Sequence, residues 1–308
     1  MVRPVTDQDV GLKIIHDETD PTAAGNVDIV AIHGMGAHPD DTWCKQVGTG
    51  DNTTYVNWLK DETMLPAIVP QARIMRYGYH SKWFGEGAIK TRCAEISQRL
   101  LLALQRKREG FPWRPLILIA HSFGGLVVLK MLVDAHVERE KWLGIYDSTI
   151  GLLFFGTPFR GTNDALSQGE ILRIAEERFQ TSYVHGENLQ IFRAGDESLS
   201  DLIDMYHRIS RQSRAPEIAC FYEQRATDIG AILGRNPEKV IKSVILVGET
   251  SGSLDLTSAR NKYSLSRDHF NMNKFGSTDE EDFETLCGIV QSMYNQGQEV
   301  ISERRRRM

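Results

Sequence analysis

Only four of the 308 residues are cysteine, Cys44, Cys93, Cys220 and Cys287, and no two stand in CxxC spacing. This argues against a zinc ribbon or a dense disulfide framework and leaves reduced, structural thiols as the expectation. No apolar stretch approaches the ~18 residues that a bilayer span needs. The opening M-V-R-P-V-T-D-Q-D-V carries acids and a proline where a secretory leader needs an apolar run, so a soluble, cytoplasmic protein is expected. Positive charge is not in excess: the formal net charge is −5, which gives the whole chain no attraction to nucleic acid or anionic lipid. The one basic block, Arg304 to Arg307, reads as a solvated end. Internal repeats, low-complexity linkers and a G-x-x-x-x-G-K-[ST] phosphate loop are all absent from the sequence.

What is present is apolar material in alternating patterns. The composition is 41% hydrophobic and 25% charged, enough for a sizeable core. Strands are expected at Val27–Ile32, Ala72–Tyr79, Leu116–Ala120, Thr149–Phe155, Glu217–Tyr222 and Ser243–Val247, each a short run rich in β-branched or aromatic residues. Between them, Ala88–Lys107 places Ile89, Cys93, Ile96, Leu100, Leu101 and Leu104 on one helical face. Further helices are expected over Phe123–Val137 and from about Asp279 onward. Strand and helix in alternation predict an α/β fold with a mostly parallel central sheet and helices on both faces. Ligands in such sheets sit at the carboxyl ends of the strands. We read residues 1–308 as a single domain, with 163–214 as a helical cap or insertion.

The run L-I-L-I-A-H-S-F-G-G-L, residues 116–126, ends a buried-type strand in a hydroxyl flanked by small residues. A sharp strand-to-helix turn strains the turn residue and packs strand against helix, so its second neighbours must be small. Ala120 and Gly124 meet that need in a G-x-S-x-G pattern with Ala for the first Gly. Ser122 is thereby the candidate nucleophile, with the N-terminus of the next helix directed at whatever bonds there. The plain alternative is a serine in an ordinary turn.

A serine hydroxyl needs a base, and the oxyanion it generates needs donors. His33-Gly34-Met35-Gly36 leaves a strand one strand-helix-strand unit earlier, which makes Met35 N–H and Phe123 N–H the candidate oxyanion hole. Nine histidines compete as base. His121 adjoins the nucleophile, its side chain is expected to point away, and packing is its expected role. His33, His16, His80, His136, His185 and His207 lack a companion signal, and His38 is placed at the mouth of the site. His269, in S-R-D-H-F-N-M-N-K-F after the last expected strand, stands where the chain order Ser, acid, His puts the base. Glu223, at the end of E-I-A-C-F-Y, is the favoured acid; Glu249, Asp255 and Asp268 remain in range.

Five ordered blocks carry a resemblance: H-G-M-G-A-H-P-D-D-T-W, W-L-K-D-E-T-M-L-P-A-I-V-P-Q-A-R-I-M-R-Y-G-Y, L-I-L-I-A-H-S-F-G-G-L-V-V-L-K, G-L-L-F-F-G-T-P-F-R-G-T and D-H-F-N-M-N-K-F. From about Asp28 to Phe283 the chain resembles the α/β-hydrolase serine-esterase and lipase-like domains of filamentous fungi, including those at the N-terminus of fungal NOD-like receptors, and phospholipid-remodelling serine proteins of mitochondrial type. The resemblance implies Ser122 as nucleophile, His269 as base, Met35 and Phe123 as oxyanion donors, and favours Glu223 as acid. Two departures stand out: Ala120 replaces a Gly, and Phe159 replaces the histidine of T-P-H-R-G.

The expected activity is hydrolysis of a carboxylic ester of lipid, lactone or polyketide type, with a small-molecule ester or acyl substrate and no metal or organic cofactor. Trp43, Trp83, Phe84 and Phe159, with His38, are the expected pocket residues. Acyl transfer or cyclisation by the same triad, and a signalling or interaction domain without catalysis, are the rival readings.

Overall fold

The computed structural model describes residues 3–17, 20, 22–23, 25–81, 92–161, 197–211, 215–228, 243–254 and 261–307. The strands are β1 (Gly11–His16), β2 (Val27–Ile32), β3 (Cys44–Val47), β4 (Thr54–Asn57), β5 (Ala72–Gly78), β6 (Leu116–His121), β7 (Thr149–Phe155), β8 (Glu217–Glu223), β9 (Thr227–Asp228), β10 (Ser243–Val244) and β11 (Lys262–Leu265). The helices of the described residues are α1 (Leu65–Ile68), α2 (Cys93–Lys107), α3 (Phe123–Val137), α4 (Ile145–Ser148), α5 (Glu197–Ser210), α6 (Glu249–Gly252) and α7 (Glu281–Arg307).

A seven-stranded sheet runs β1-β5-β2-β6-β7-β8-β11, parallel throughout except for β1, which pairs antiparallel with β5 at one edge. Every residue of β2, β6 and β7 is buried, as strands covered on both faces require. The period of two divides their side chains between two cores. Val30, Ile32, Leu116, Leu118 and Ala120 face α2, α3 and α5. Ile29, Ala31, Ile117 and Ile119 face α7 and a cluster of Trp43, Trp58, Phe275 and Phe283. Helix α3 is apolar over most of its circumference because it packs against the sheet, α2 and α5, and its narrow half-buried side carries Lys130, Asp134 and His136, with Lys130 paired to Asp134.

The register brings the carboxyl ends of the central strands level. Ile32 pairs with Ala120, His121 with Phe155, and Phe155 with Phe221. At the opposite end, Asp28 is fully buried and accepts hydrogen bonds from Arg73 Nε (2.9 Å) and Nη2 (3.0 Å), from Arg108, and from Arg114 Nη1 (3.3 Å). Such a buried carboxylate is tolerated because its charge and lone pairs are fully met.

Several expectations are corrected. Ser243–Val247 contributes only β10, paired antiparallel with β9 outside the main sheet. The last strand of the sheet is instead β11, a short polar edge strand that β8 recruits through backbone pairing. Arg304 is not a solvated end. Helix α7 carries it under the sheet, where its Nη1 donates to the carbonyls of Asp147 (2.9 Å) and Thr149 (2.6 Å), while Arg305 lies over the Trp113 ring at 5.3 Å. Of the expected cap, 163–196 and 212–214 lie outside the described residues. Its described helix, α5, buries Leu199, Leu202, Ile203, Tyr206 and Ile209 against α3 as part of the main core.

Candidate active site

Ser122 sits at the junction of β6 and α3 with φ 52° and ψ −126°, the one non-glycine residue at positive φ among the described residues. The strain is held by its amide, which donates to the Phe155 carbonyl at 2.8 Å, and by the parallel pairing of β6 and β7 just before it. The small neighbours are needed. A Cβ at Gly124 would come within 2.6 Å of the carbonyl oxygens of Ile32 and His33, and one at Gly34 within 3.0 Å of the Ser122 Cβ. The residue 34–36 loop therefore passes directly against the serine.

His33 fixes that loop. Its ring stacks on Tyr79 at 4.1 Å, its Nε2 accepts the Tyr79 N–H (3.1 Å), and its backbone carbonyl accepts the Tyr79 hydroxyl (2.8 Å). With Nε2 accepting, Nδ1 carries the proton and donates to the Gly34 carbonyl at 2.9 Å. Burial holds this imidazole down to about 3, so it stays neutral in that tautomer. Gly36, at φ 71°, then turns the chain and donates to the Ser81 carbonyl at 2.9 Å. Met35 packs against the core between these anchors, and Phe123 opens α3.

His269 follows β11 and lies across the ends of β6 and β7. A Cβ at Gly156, which has φ 54°, would sit 2.9 Å from its Cε1 and Nδ1, so only glycine leaves room for the ring. Its Nδ1 is 3.9 Å from Oε1 of Glu223, the last residue of β8. Glu223 also accepts the Val247 N–H and the Thr227 hydroxyl (Thr227 Oγ1 to Oε2, 3.2 Å). Burial pushes the Glu223 carboxyl up to about 7 against these donors, and burial pushes His269 down to about 4.

His121 does not point away, as expected from its place beside the serine. Its ring lies 5.0 Å from that of His269, and its Nε2 is 2.9 Å from the His269 carbonyl oxygen. A carbonyl only accepts, so Nε2 carries the proton, and burial keeps the ring neutral. The period of two puts residue 121 on the same face of β6 as Ile117 and Ile119, where the segment of Met272 and Phe275 brings His269 alongside. Neither His121 nor Thr227 carried a sequence signal for contact with His269, because both depend on which strands become neighbours.

Other expected site residues are placed elsewhere. His38 (1% exposed), Trp43 (0%) and Phe159 (1%) present no surface to a substrate. His38 is wrapped by polar groups of the N-terminal segment, Trp43 meets Trp58 edge-on at 5.9 Å, and Phe159 meets Phe154 edge-on at 5.1 Å. Trp83, Phe84, Asp255 and His185 lie outside the described residues. Glu249 is exposed and 3.7 Å from Lys262 Nζ, and Asp268 turns away from the ring to accept the N–H groups of Phe270 (3.0 Å) and Asn271 (3.1 Å).

Asp9, His38 and Asp40 bring their ligand atoms within 4.8 Å of one another, the arrangement among the described residues that could hold a metal ion. The hydrogen bonds oppose it. His38 Nδ1 accepts the Asp40 N–H (3.2 Å) and lies 3.1 Å from Arg3 Nη2, which places the ring proton on Nε2, facing Asp9 Oδ2 at 3.4 Å. Arg76 already pairs with Asp40 at 2.7 Å. Two cavities of about 240 and 330 Å³ are lined around Tyr206, Glu217 and Cys220, and around Ile150, Glu217 and Met293; neither touches Ser122 or His269.

No protein-family model matches the chain. It is 30% identical over 165 residues to Protein SERAC1 of Danio rerio, covering 49% of this chain and 25% of that protein. Against Protein SERAC1 of Homo sapiens it is 24% identical over 237 residues, covering 72% of this chain and 34% of that one. The chain thus spans about a quarter to a third of the length of the curated relatives it matches. These relatives are vertebrate; the fungal receptor part of the resemblance finds no counterpart among them. Among solved structures, the lipase BlEst2 of Bacillus licheniformis superposes with a TM-score of 0.52 at 13% identity, over 90% of this chain and 97% of that one. The phospholipase PlaB of Legionella pneumophila gives 0.52 at 10% identity, over 90% and 62%. With its mostly parallel sheet and flanking helices, the chain has the α/β-hydrolase fold.

Proposed function

We propose that the protein is a serine hydrolase that cleaves a carboxylic ester through an acyl-enzyme on Ser122. The observation that carries this reading is the strained Ser122 at the β6–α3 turn with the His269–Glu223 pair on the adjoining strand ends. His269 takes the Ser122 proton on Nε2 as Oγ bonds to the ester carbonyl carbon. The N–H groups of Met35 and Phe123 hold the oxyanion, a contribution of about 3 kcal/mol per donor in such sites. Collapse breaks the ester C–O bond, and His269 passes its proton to the departing alcohol. Water, deprotonated by the same nitrogen, then releases the acid and restores Ser122.

Glu223 is the group that meets the imidazolium charge. For that, the 3.9 Å gap to His269 Nδ1 closes to hydrogen-bond length as the charge develops, since catalytic hydrogen bonds are often long before substrate binds. Two solved structures of the same fold are named as a lipase and a phospholipase, which supports an acyl ester of lipid type as the substrate class. A series of p-nitrophenyl esters from acetate to palmitate tests this. Hydrolysis with saturation kinetics that disappears in Ser122→Ala supports the reading, and equal hydrolysis by that variant refutes it.

A further inference from the structure

One hydroxyl joins the acid to the base. Thr227 is 3% exposed, four residues beyond Glu223 and at the start of β9. Its Oγ1 donates to Glu223 Oε2 at 3.2 Å and accepts the backbone N–H of His269 at 3.1 Å. A hydroxyl has one proton and two lone pairs, and an amide N–H can only donate, so the Thr227 proton is committed to the carboxylate. The polarity of the chain is therefore fixed: His269 N–H to Thr227 Oγ1, and Thr227 O–H to Glu223. With Oε2 held in this way and the Val247 N–H on Oε1, the carboxylate cannot rotate, and Oε1 is left facing His269 Nδ1. Thr227 itself is clamped, because β9 pairs it with Val244 and a β-branched side chain has few rotamers to choose from.

We propose that Thr227 is a positioning residue for the hydrolytic site, its hydroxyl setting the separation of Glu223 and His269 by bonding the side chain of one and the backbone of the other. The proposal rests on the serine-hydrolase reading given above. It places Thr227 outside the group that touches substrate, so its loss slows the chemical step without weakening substrate binding. The donor also favours the carboxylate anion. Among the described residues the titratable groups acting on Glu223 are His269 and Asp268, and both keep their side chains in the Thr227 variants.

The test compares Thr227→Val, which keeps the shape and removes the hydroxyl, with Thr227→Ser, which keeps the hydroxyl and removes the methyl. Both are assayed on p-nitrophenyl butyrate across pH, alongside fluorophosphonate labelling of Ser122. Expected are a kcat lowered roughly 10- to 100-fold in Thr227→Val, with KM within about 2-fold. The acid limb of its kcat/KM profile moves to higher pH, and Thr227→Ser stays within about 3-fold of the parent. A folded Thr227→Val with parental kcat, or a loss confined to KM with the acid limb unmoved, overturns the proposal. So does a folded Thr227→Ser whose kcat falls more than about 10-fold below the parent; that arm is read against the parent alone and decides the matter even where valine prevents folding. Failure of the parent protein to label at Ser122 would instead remove the hydrolase reading, and the role of Thr227 with it.

Discussion

His269 Nδ1 lies 3.9 Å from Glu223 Oε1, and it is buried with no hydrogen-bond partner among the described residues. A buried, unmet ring nitrogen beside a buried carboxylate is costly in a resting protein. It becomes useful only when a proton arrives on the other ring nitrogen and the pair turns into an ion pair. The relationship has consequences for pH, for stability and for the two residues individually.

Burial raises Glu223 to about 7 and lowers His269 to about 4, so on acidification the first proton taken up by the pair goes to the carboxylate. Esterase activity that needs the anion is expected to rise with pH through about 7 and to fade below it, although the histidine is still neutral there. A kcat/KM profile on p-nitrophenyl butyrate checks this, and Glu223→Gln removes that limb. A limb near 4 in the parent protein would mean that the imidazole, not the carboxylate, titrates first.

The same shift predicts a stability cost. Because the folded-state value of Glu223 lies above the unfolded one of 4.5, its contribution is fully present below pH about 4.5 and is lost as pH rises through about 7. His269 acts oppositely: its contribution is present above its ordinary 6.5 and is lost as pH falls through about 4. At pH about 8 the buried anion is therefore the unfavourable partner. Glu223→Gln can keep Val247 N–H on its oxygen and donate its NH2 to the second lone pair of Thr227 Oγ1, whose own proton then gives up this acceptor, a cost smaller than that of the buried anion. Urea titration at that pH is expected to show it as stable as the parent or more so, by on the order of 1 kcal/mol, while kcat falls about 10³-fold or more.

Ser122 at φ 52° carries strain that a Cβ causes and glycine does not. Ser122→Ala and Ser122→Gly both lose activity. The glycine variant is expected to be more stable than the alanine variant by about 1 kcal/mol, read as a higher Tm. Equal Tm values would place no strain at the turn.

Asp28 supports the fold from the far end of the sheet. Asp28→Asn leaves the guanidinium groups of Arg73, Arg108 and Arg114 buried around an uncharged partner, and a loss of about 3–5 kcal/mol in chemical denaturation is expected. Where the variant is folded, its pH profile matches the parent, because Asp28 and the strand carboxyl ends are at opposite edges of β2 and β6.

The legible parts of the sequence were those with local causes. The aliphatic run ending at Ser122, the small residues on either side of it and the glycines after His33 each answer a constraint within a few residues, and the structure places them together. His269 is expected from chain order, and Glu223 is favoured over Glu249 from its place at a strand end and from the resemblance; the two lie 3.9 Å apart. Less legible was whatever depends on strand neighbours. K-Y-S-L gives no strand signal of its own, yet β8 draws it into the sheet as β11, and that edge carries His269. Thr227 and His121 reach His269 only through that assembly. Trp43 and Phe159 looked like pocket aromatics because they sit near strand ends. Residue type does not say which side of a loop faces the core, and both side chains face inward. The terminal arginines misled for a related reason: the carbonyls that receive Arg304 belong to Asp147 and Thr149, far away in sequence.

The central claim is that the oxygen at position 122 is the nucleophile. Incubation with a fluorophosphonate followed by peptide mass spectrometry tests it most directly. A single adduct on the peptide containing Ser122, absent from a folded Ser122→Ala protein, is the predicted result. Labelling that survives in Ser122→Ala, or an active protein whose Ser122 stays unmodified, would contradict it.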